Sequence, residues 1–378
     1  MRQLYNSIDK PLLWASLALF VFGLLMIISA SSTVTLLWYK SDNIFKYGIQ
    51  QAGIIIIGTI FSYIFILRKP IRKTLKWSTV LMILVTISLI YVGFQGRVTN
   101  NAQSWLEIKG FRLQPSELAK PIIILYMAFL FTKLEYFKTD YRRLIYAVVP
   151  IIICIIAVAA QPDLGTAAIM AMIVVGIFLI IPGNTKIKSR VILTSGILIV
   201  SFAILFTFLG NNLFTNEQMN RIKSFANPCA DYYNEGLQVC NSLIAINESN
   251  GIGKGFNNST QKHLYLPESY TDFIMAITVE ETGLIGFTGV MIAYLIVLAR
   301  LFIIARKSTN ISGAVIAYGV AIYIFVHIFI NLGGISALIP LTGVPLPFMS
   351  YGGSYALSLI IALSLALRVS HDNKLKSN

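Results

Sequence analysis

Charge is what this 378-residue chain has least of: Asp, Glu, Lys and Arg make up 12% of it, against 56% hydrophobic residues, and the mean hydropathy is +0.74. A soluble domain carries about 25% charged residues, so a water-exposed globular fold is excluded and a bilayer is the solvent. Acidic residues are scarce, 16 against 30 basic ones, giving a net charge of +14. That excess could suggest nucleic acid, but the basic residues concentrate in alternate loops, which marks membrane topology and excludes a nucleic-acid partner. The three cysteines and three histidines form no metal-binding spacing. No Ser/His/Asp order and no Walker loop occurs, so neither protease chemistry nor ATP hydrolysis is supported. With no repeat, low-complexity tract or soluble segment, a single integral membrane domain over 1–378 is expected.

What the chain does have is apolar runs of roughly the length a helix needs to cross a bilayer, about 20 residues. They predict an all-α polytopic membrane protein with about ten transmembrane helices, near 12–31, 48–67, 77–94, 116–132, 145–161, 165–183, 191–210, 283–305, 313–332 and 349–368. With the N-terminus inside, 20 of the 30 Lys and Arg fall in cytoplasmic segments, 9 outside, and Lys120 within a span; both termini are therefore expected in the cytoplasm. The first run is too long for a cleaved signal peptide and is read as a retained span. Two outer connections are long, Gln95 to Gln114 and about 211–282. The second carries aromatic and aliphatic residues throughout, so it is expected to be a large structured extracytoplasmic loop of short helices and re-entrant segments. Cys229 and Cys240 share it, as a disulfide or as two free thiols; Cys154 lies within a span.

Four constellations carry chemistry. In the first, Trp105 and Arg112 precede Gln114-Pro-Ser-Glu-Leu-Ala-Lys120-Pro121. Pro115 suits a first helical turn, and Glu117 and Lys120 are i, i+3 neighbours, a structural ion pair or a functional one facing a wet cavity. In the second, Gln161-Pro162-Asp163-Leu-Gly-Thr, Asp163 is placed to cap the next helix. The third lies in the long loop: Arg221, Lys223, the glycine-rich Gly251-Ile-Gly253-Lys254-Gly255, Lys262, Glu268, Thr271-Asp272-Phe273 and Glu280-Glu281. Glycine backbone beside lysine can cradle a phosphate. Asp272, flanked by apolar residues, is either a helix cap or a carboxylate whose desolvation suits it to act as a base. The fourth, Asn331-Leu-Gly333-Gly334 and then Pro340 to Ser354 with Ser350, Gly352 and Gly353, reads as a rigid re-entrant turn, and His327 as a packed interhelical hydrogen bonder.

Taken together, Gly23 to Ser32, the Trp105 and Gln114–Lys120 segment, Gln161–Ala167, Tyr265–Ile274 with Val279–Gly286, and Thr342–Ser354 resemble the SEDS family (shape, elongation, division and sporulation) of bacterial wall synthesis, with the FtsW branch closer than RodA. The resemblance implies a peptidoglycan glycosyltransferase that polymerises lipid II at the outer face of the bacterial cytoplasmic membrane, in division or elongation. It implies Asp272 as the catalytic carboxylate, with Trp105, Arg112 and Lys120 activity-linked and Glu268 and Glu281 as weaker candidates. Its usual partner is a class B penicillin-binding protein. In the inverting displacement expected, Arg112, Lys120, Arg221, Lys223 and Lys254 would face the leaving pyrophosphate. A divalent cation there is compatible with the chemistry, though no dedicated site is legible. The rival readings are a lipid-linked precursor flippase and a non-catalytic scaffold. A flippase should line both leaflets with polar residues; here they gather at the outer rim.

Overall fold

The computed structural model describes residues 6–37, 43–99, 102–108, 111–133, 141–180, 236–263 and 265–377, with short pieces between 181 and 235 (189–190, 193–194, 196–197, 201, 225 and 228–230). The helices run α1 (Lys10–Leu37), α2 (Lys46–Ser62) continuing through a π-helical turn Tyr63–Leu67, α3 (Ile71–Leu75), α4 (Ser78–Gln95), α5 (Pro115–Thr132), α6 (Tyr141–Ala159), α7 (Leu164–Ile180), α8 (Leu237–Glu248), α9 (Ile274–Arg306), α10 (Ile311–Ile335) and α11 (Gly353–Ser377). Seven of them are long and apolar enough to cross a membrane, and the apolar helices Ala147–Ala159 and Leu164–Ile180 are shorter. Nine of the ten expected spans coincide with these; the expected span at 191–210 falls largely outside the described residues.

Three helices form the centre. The apolar windows of α5, α10 and α11 are 78%, 72% and 78% buried, against 22% for α2 and 28% for α4 and α9. Peripheral helices equally apolar but outwardly exposed face lipid, which needs no polar stripe; Ile56, Ile57 and Ile60 on α2 and Ile83, Leu84 and Ile87 on α4 do so.

Between α4 and α5 lies an element the sequence reading missed. Three strands, β1 (Arg97–Thr99), β2 (Ala102–Ile108) and β3 (Phe111–Leu113), form an antiparallel sheet, with Glu107 opposite Arg112 and Arg97 opposite Trp105. The segment satisfies its own backbone as strands rather than as an irregular loop.

The long segment expected at about 211–282 differs from expectation at its end. The helix expected to start at 283 begins at Ile274 and is broken at Gly283, with φ 65° and ψ −158°. Such a break frees backbone groups that a helix would pair. The loop Gly251–Gly255 pairs them: Lys254 N donates to Glu280 O (2.8 Å), Gly255 N to Glu281 O (2.9 Å), and Leu284 N to Gly251 O (2.9 Å). A Cβ at Gly283 would sit 2.4 Å from the Ile252 carbonyl carbon, and one at Gly253 2.5 Å from Gly283 N, so both crossing points require glycine. The phosphate-cradling reading of this turn is thereby corrected: the amides of Gly253, Lys254 and Gly255 already donate to backbone carbonyls. Cys229 and Cys240 form a disulfide that ties α8 to the preceding loop.

Candidate active site

Asp272 sits two residues before α9, at the head of the half-helix Ile274–Thr282. Three successive carbonyls fix this stretch of chain, two to the Pro340–Gly353 loop and one to α10. Tyr270 O accepts from Tyr351 N (3.0 Å), Thr271 O from the Ser350 hydroxyl (2.6 Å), and Asp272 O from the Asn331 amide (2.7 Å). Ser350 Oγ also accepts from Leu346 N, closing the turn on itself. A Cβ at Gly343, at φ 69°, would lie 3.3 Å from Asp272 Oδ2, so a residue with no side chain stands beside the carboxylate. Asp272 itself is part-buried, and the residue at the cap of α9 is Phe273, with no side-chain capping bond.

The loop holds a strained shape to achieve this. Phe348 has φ 67°, a conformation that costs a non-glycine residue of order 1 kcal/mol or more. Its ring packs edge-on against Phe20 at 5.0 Å, and its carbonyl lies where a Cβ on Gly23 would be, at 2.4 Å. Tyr294 donates to Pro347 O. The loop is thus clamped by α1 and α9, which explains why a glycine stands at position 23.

A second cluster is buried between α5, α10 and α11. Lys120 is 1% exposed and donates to Glu117 Oε1 at 2.7 Å. Its Nζ is 3.2 Å from His327 Nε2 and lies 5.9 Å from the ring centroids of both Tyr323 and Tyr355. An ammonium has only donors, so His327 Nε2 must accept, which puts the ring proton on Nδ1, 3.3 Å from Pro345 O. The ion pair of the sequence reading therefore faces the bundle, and His327 bridges helices as expected.

The third cluster is a pair of lysine clamps. Lys262, 1% exposed, donates to Glu281 Oε1 (3.2 Å), Asn257 O (2.7 Å) and Asn257 Oδ1 (2.6 Å), while Ser29 donates to Glu281 Oε1 at 2.6 Å. Lys254, expected toward a pyrophosphate, is held instead by Glu248 and Glu280. Burial alone would lower its pKa, but hydrogen bonds to Glu248 and Glu280 outweigh it and raise the ammonium above its ordinary value. The same hydrogen bond holds the Glu248 carboxyl below its ordinary value.

The other predicted residues fall around these clusters. Asp163 accepts from Thr166 N at 3.1 Å, capping α7, and from Gln114 Nε2 at 3.4 Å. Gln114 N donates to Ser354 Oγ (2.9 Å) and Ser358 Oγ to Glu117 O (2.7 Å), so the starts of α5, α7 and α11 meet. Gly352 N donates to Gln51 Oε1, and Gly353 packs on Ile54. Glu268 is part-buried and accepts from Thr271 Oγ1 at 2.7 Å. Trp105, half-buried on β2, and Arg112, exposed on β3, lie in the sheet leading into α5. Arg221 and Lys223 lie outside the described residues. Asn331 opens the fourth constellation of the sequence but was given no role of its own there, and Ser29 and Asn257 were given none; the His327–Asn331 spacing of one helical turn was the available signal for the first. Among the described residues no group of three or more His, Cys, Asp or Glu side chains is arranged to hold a metal ion.

A family model described as cell cycle protein, FtsW/RodA/SpoVE, matches residues 10–375. The chain is 33% identical over 384 residues to the probable peptidoglycan glycosyltransferase FtsW of Bacillus subtilis, covering 100% of this chain and 94% of that one. It is 33% identical to stage V sporulation protein E of the same organism, covering 98% of each. Among solved structures, the rod shape determining protein RodA of Thermus thermophilus superposes with a TM-score of 0.65 at 21% identity, covering 97% of this chain and 98% of that one. A chain of a peptidoglycan synthase complex that coordinates polymerization and crosslinking gives 0.72 at 21% identity, with the same coverage.

Proposed function

The chain belongs to the FtsW/RodA/SpoVE family of cell cycle proteins and has its peptidoglycan glycosyltransferase role, and we propose that it polymerises lipid II at the outer face of the cytoplasmic membrane with Asp272 as general base. A sugar hydroxyl is a poor nucleophile at neutral pH. The 4-hydroxyl oxygen of the acceptor sugar attacks the anomeric carbon of the donor as its proton passes to Asp272. The bond from that carbon to the lipid pyrophosphate breaks, and the pyrophosphate leaves as an anion with the electron pair. That leaving group needs no protonation, so one carboxylate suffices, unlike glycosidase chemistry with its two. In-line displacement inverts the donor carbon. Exposed Arg112 is the described cation left to meet the pyrophosphate charge, together with Arg221 and Lys223.

The observation that supports this best is the three-carbonyl clamp on residues 270–272, which fixes the backbone that carries the Asp272 carboxylate. General base catalysis depends on such placement. Lys120, whose ammonium pairs with buried Glu117, supports the site from within the bundle. A class B penicillin-binding protein is the partner proposed, from the resemblance to wall-synthesis proteins.

The discriminating experiment reconstitutes the purified protein in liposomes with lipid II, with and without that partner, and follows both glycan polymer and transbilayer movement of labelled lipid II. Polymer without lipid movement is expected. Movement without polymer, even with the partner present, would identify a flippase.

A further inference from the structure

Resting on the assignment of Asp272 as the base, we infer that Asn331 is a positioning residue for it, referenced through His327 to the Lys120–Glu117 pair. Asn331 is 4% exposed. Its carboxamide has two N–H groups, and both are committed: one to Asp272 O at 2.7 Å, the other to Val344 O at 2.8 Å. These carbonyls come from the two segments that meet at the site, so one side chain joins them. Its Oδ1 is buried and finds no hydrogen-bond partner among the described residues, so the donors are what the position uses. Only a carboxamide of this length offers two hydrogens to two carbonyls without a charge.

His327 stands one helical turn earlier on the same face of α10. Its Nδ1–H faces Pro345 O (3.3 Å) and its Nε2 faces Lys120 Nζ (3.2 Å). The adjacent carbonyls of Val344 and Pro345 are therefore held by two side chains of one central helix, and Gly343, the residue beside the Asp272 carboxylate, comes immediately before them. The catalytic residue is thereby registered against α10, whose apolar window is 72% buried, rather than against loops alone. Misplacing a reacting group by about 1 Å costs on the order of 100-fold in rate.

The test uses the full-length protein in liposomes with its penicillin-binding protein partner, comparing wild type, Asp272→Asn, Asn331→Ala, Asn331→Asp, His327→Ala and His327→Gln. Lipid II polymerisation gives kcat and KM, and thermal melting reports folding. Asn331→Ala and Asn331→Asp should each lower kcat by about 10- to 100-fold with KM within about twofold, because a displaced base slows chemistry but not substrate binding. His327→Ala should lower kcat, and His327→Gln should restore most of it, since a glutamine amide can accept from Lys120 and donate to Pro345 O. Wild-type kcat in both Asn331 variants would overturn the inference. Loss of lipid II binding or of the fold along with activity would make Asn331 structural and overturn it equally. Polymer from Asp272→Asn at the wild-type rate would instead overturn the base assignment on which the inference rests.

Discussion

Replacing Lys262 by methionine should destabilise the half of the protein that carries the 251–282 segment by about 3–5 kcal/mol. The side chain is 1% exposed, and its three ammonium hydrogens meet Glu281 Oε1, Asn257 O and Asn257 Oδ1. Methionine conserves most of the volume, so the loss is electrostatic: Glu281, also 1% exposed, keeps its charge with the Ser29 hydroxyl as its remaining partner in the cluster. Breaking one half of a buried pair costs this much because the other charge is stranded, whereas removing both charges is close to neutral. Lys262→Met should therefore melt well below wild type, Glu281→Gln should cost less, since an amide can still accept from Lys262 and Ser29, and the double variant should recover much of the loss. Thermal unfolding of the detergent-solubilised protein, run as a double-mutant cycle, measures the coupling. Additive losses in the double variant, or a Lys262→Met melt equal to wild type, would refute the reasoning.

Three further outcomes are expected. Gly23→Ala should destabilise the protein by about 1–3 kcal/mol and slow polymerisation, because the added Cβ would lie 2.4 Å from the Phe348 carbonyl oxygen; melting and polymer yield check it together. Removing the Cys229–Cys240 bridge, with a sequence separation of 11, should cost about 2–3 kcal/mol on the loop-entropy estimate, read as a lower melting temperature of Cys229→Ser under oxidising conditions and no further drop on reduction. The Lys254–Glu248 contact should give a pH window. The lowered carboxyl contributes stability above its unfolded value near 4.5, lost as pH falls through its folded pKa. The raised ammonium contributes below 10.5, lost as pH rises through its folded pKa. Protease protection of the loop around Lys254 should be level between these limits in wild type, and Glu248→Gln should weaken the acid-side dependence without removing it, because the Lys254–Glu280 pair remains.

Much of the architecture was legible because a bilayer imposes a length on apolar runs, and nine spans follow from it. The start of α9 was not. Glu280 and Glu281 look like the rim of a span when read locally, but they pair with Lys254 and Lys262, partners 26 and 19 residues away that no local window pairs with them. The glycine-rich turn was misread for a related reason: whether its amides are free to bind an anion depends on what packs against them, and here the Gly283 break takes them. The sheet at 97–113 escaped notice because its strands are short and alternate weakly. At the site, the motif segments were recognisable singly, while their meeting was not. Gly165 approaching Thr342 and Gln114 bonding Ser354 bring together stretches far apart in the chain. Tyr355, which the sequence reading gave no role, flanks Lys120 with its ring.

The most direct test of Asp272 as the base is lipid II polymerisation by Asp272→Asn alongside a binding measurement on the same preparation. The substitution should lower the polymerisation rate by about 10²–10⁴-fold, the range for loss of a general base, while the protein still folds and still binds lipid II. Polymer at the wild-type rate from the asparagine variant would contradict it.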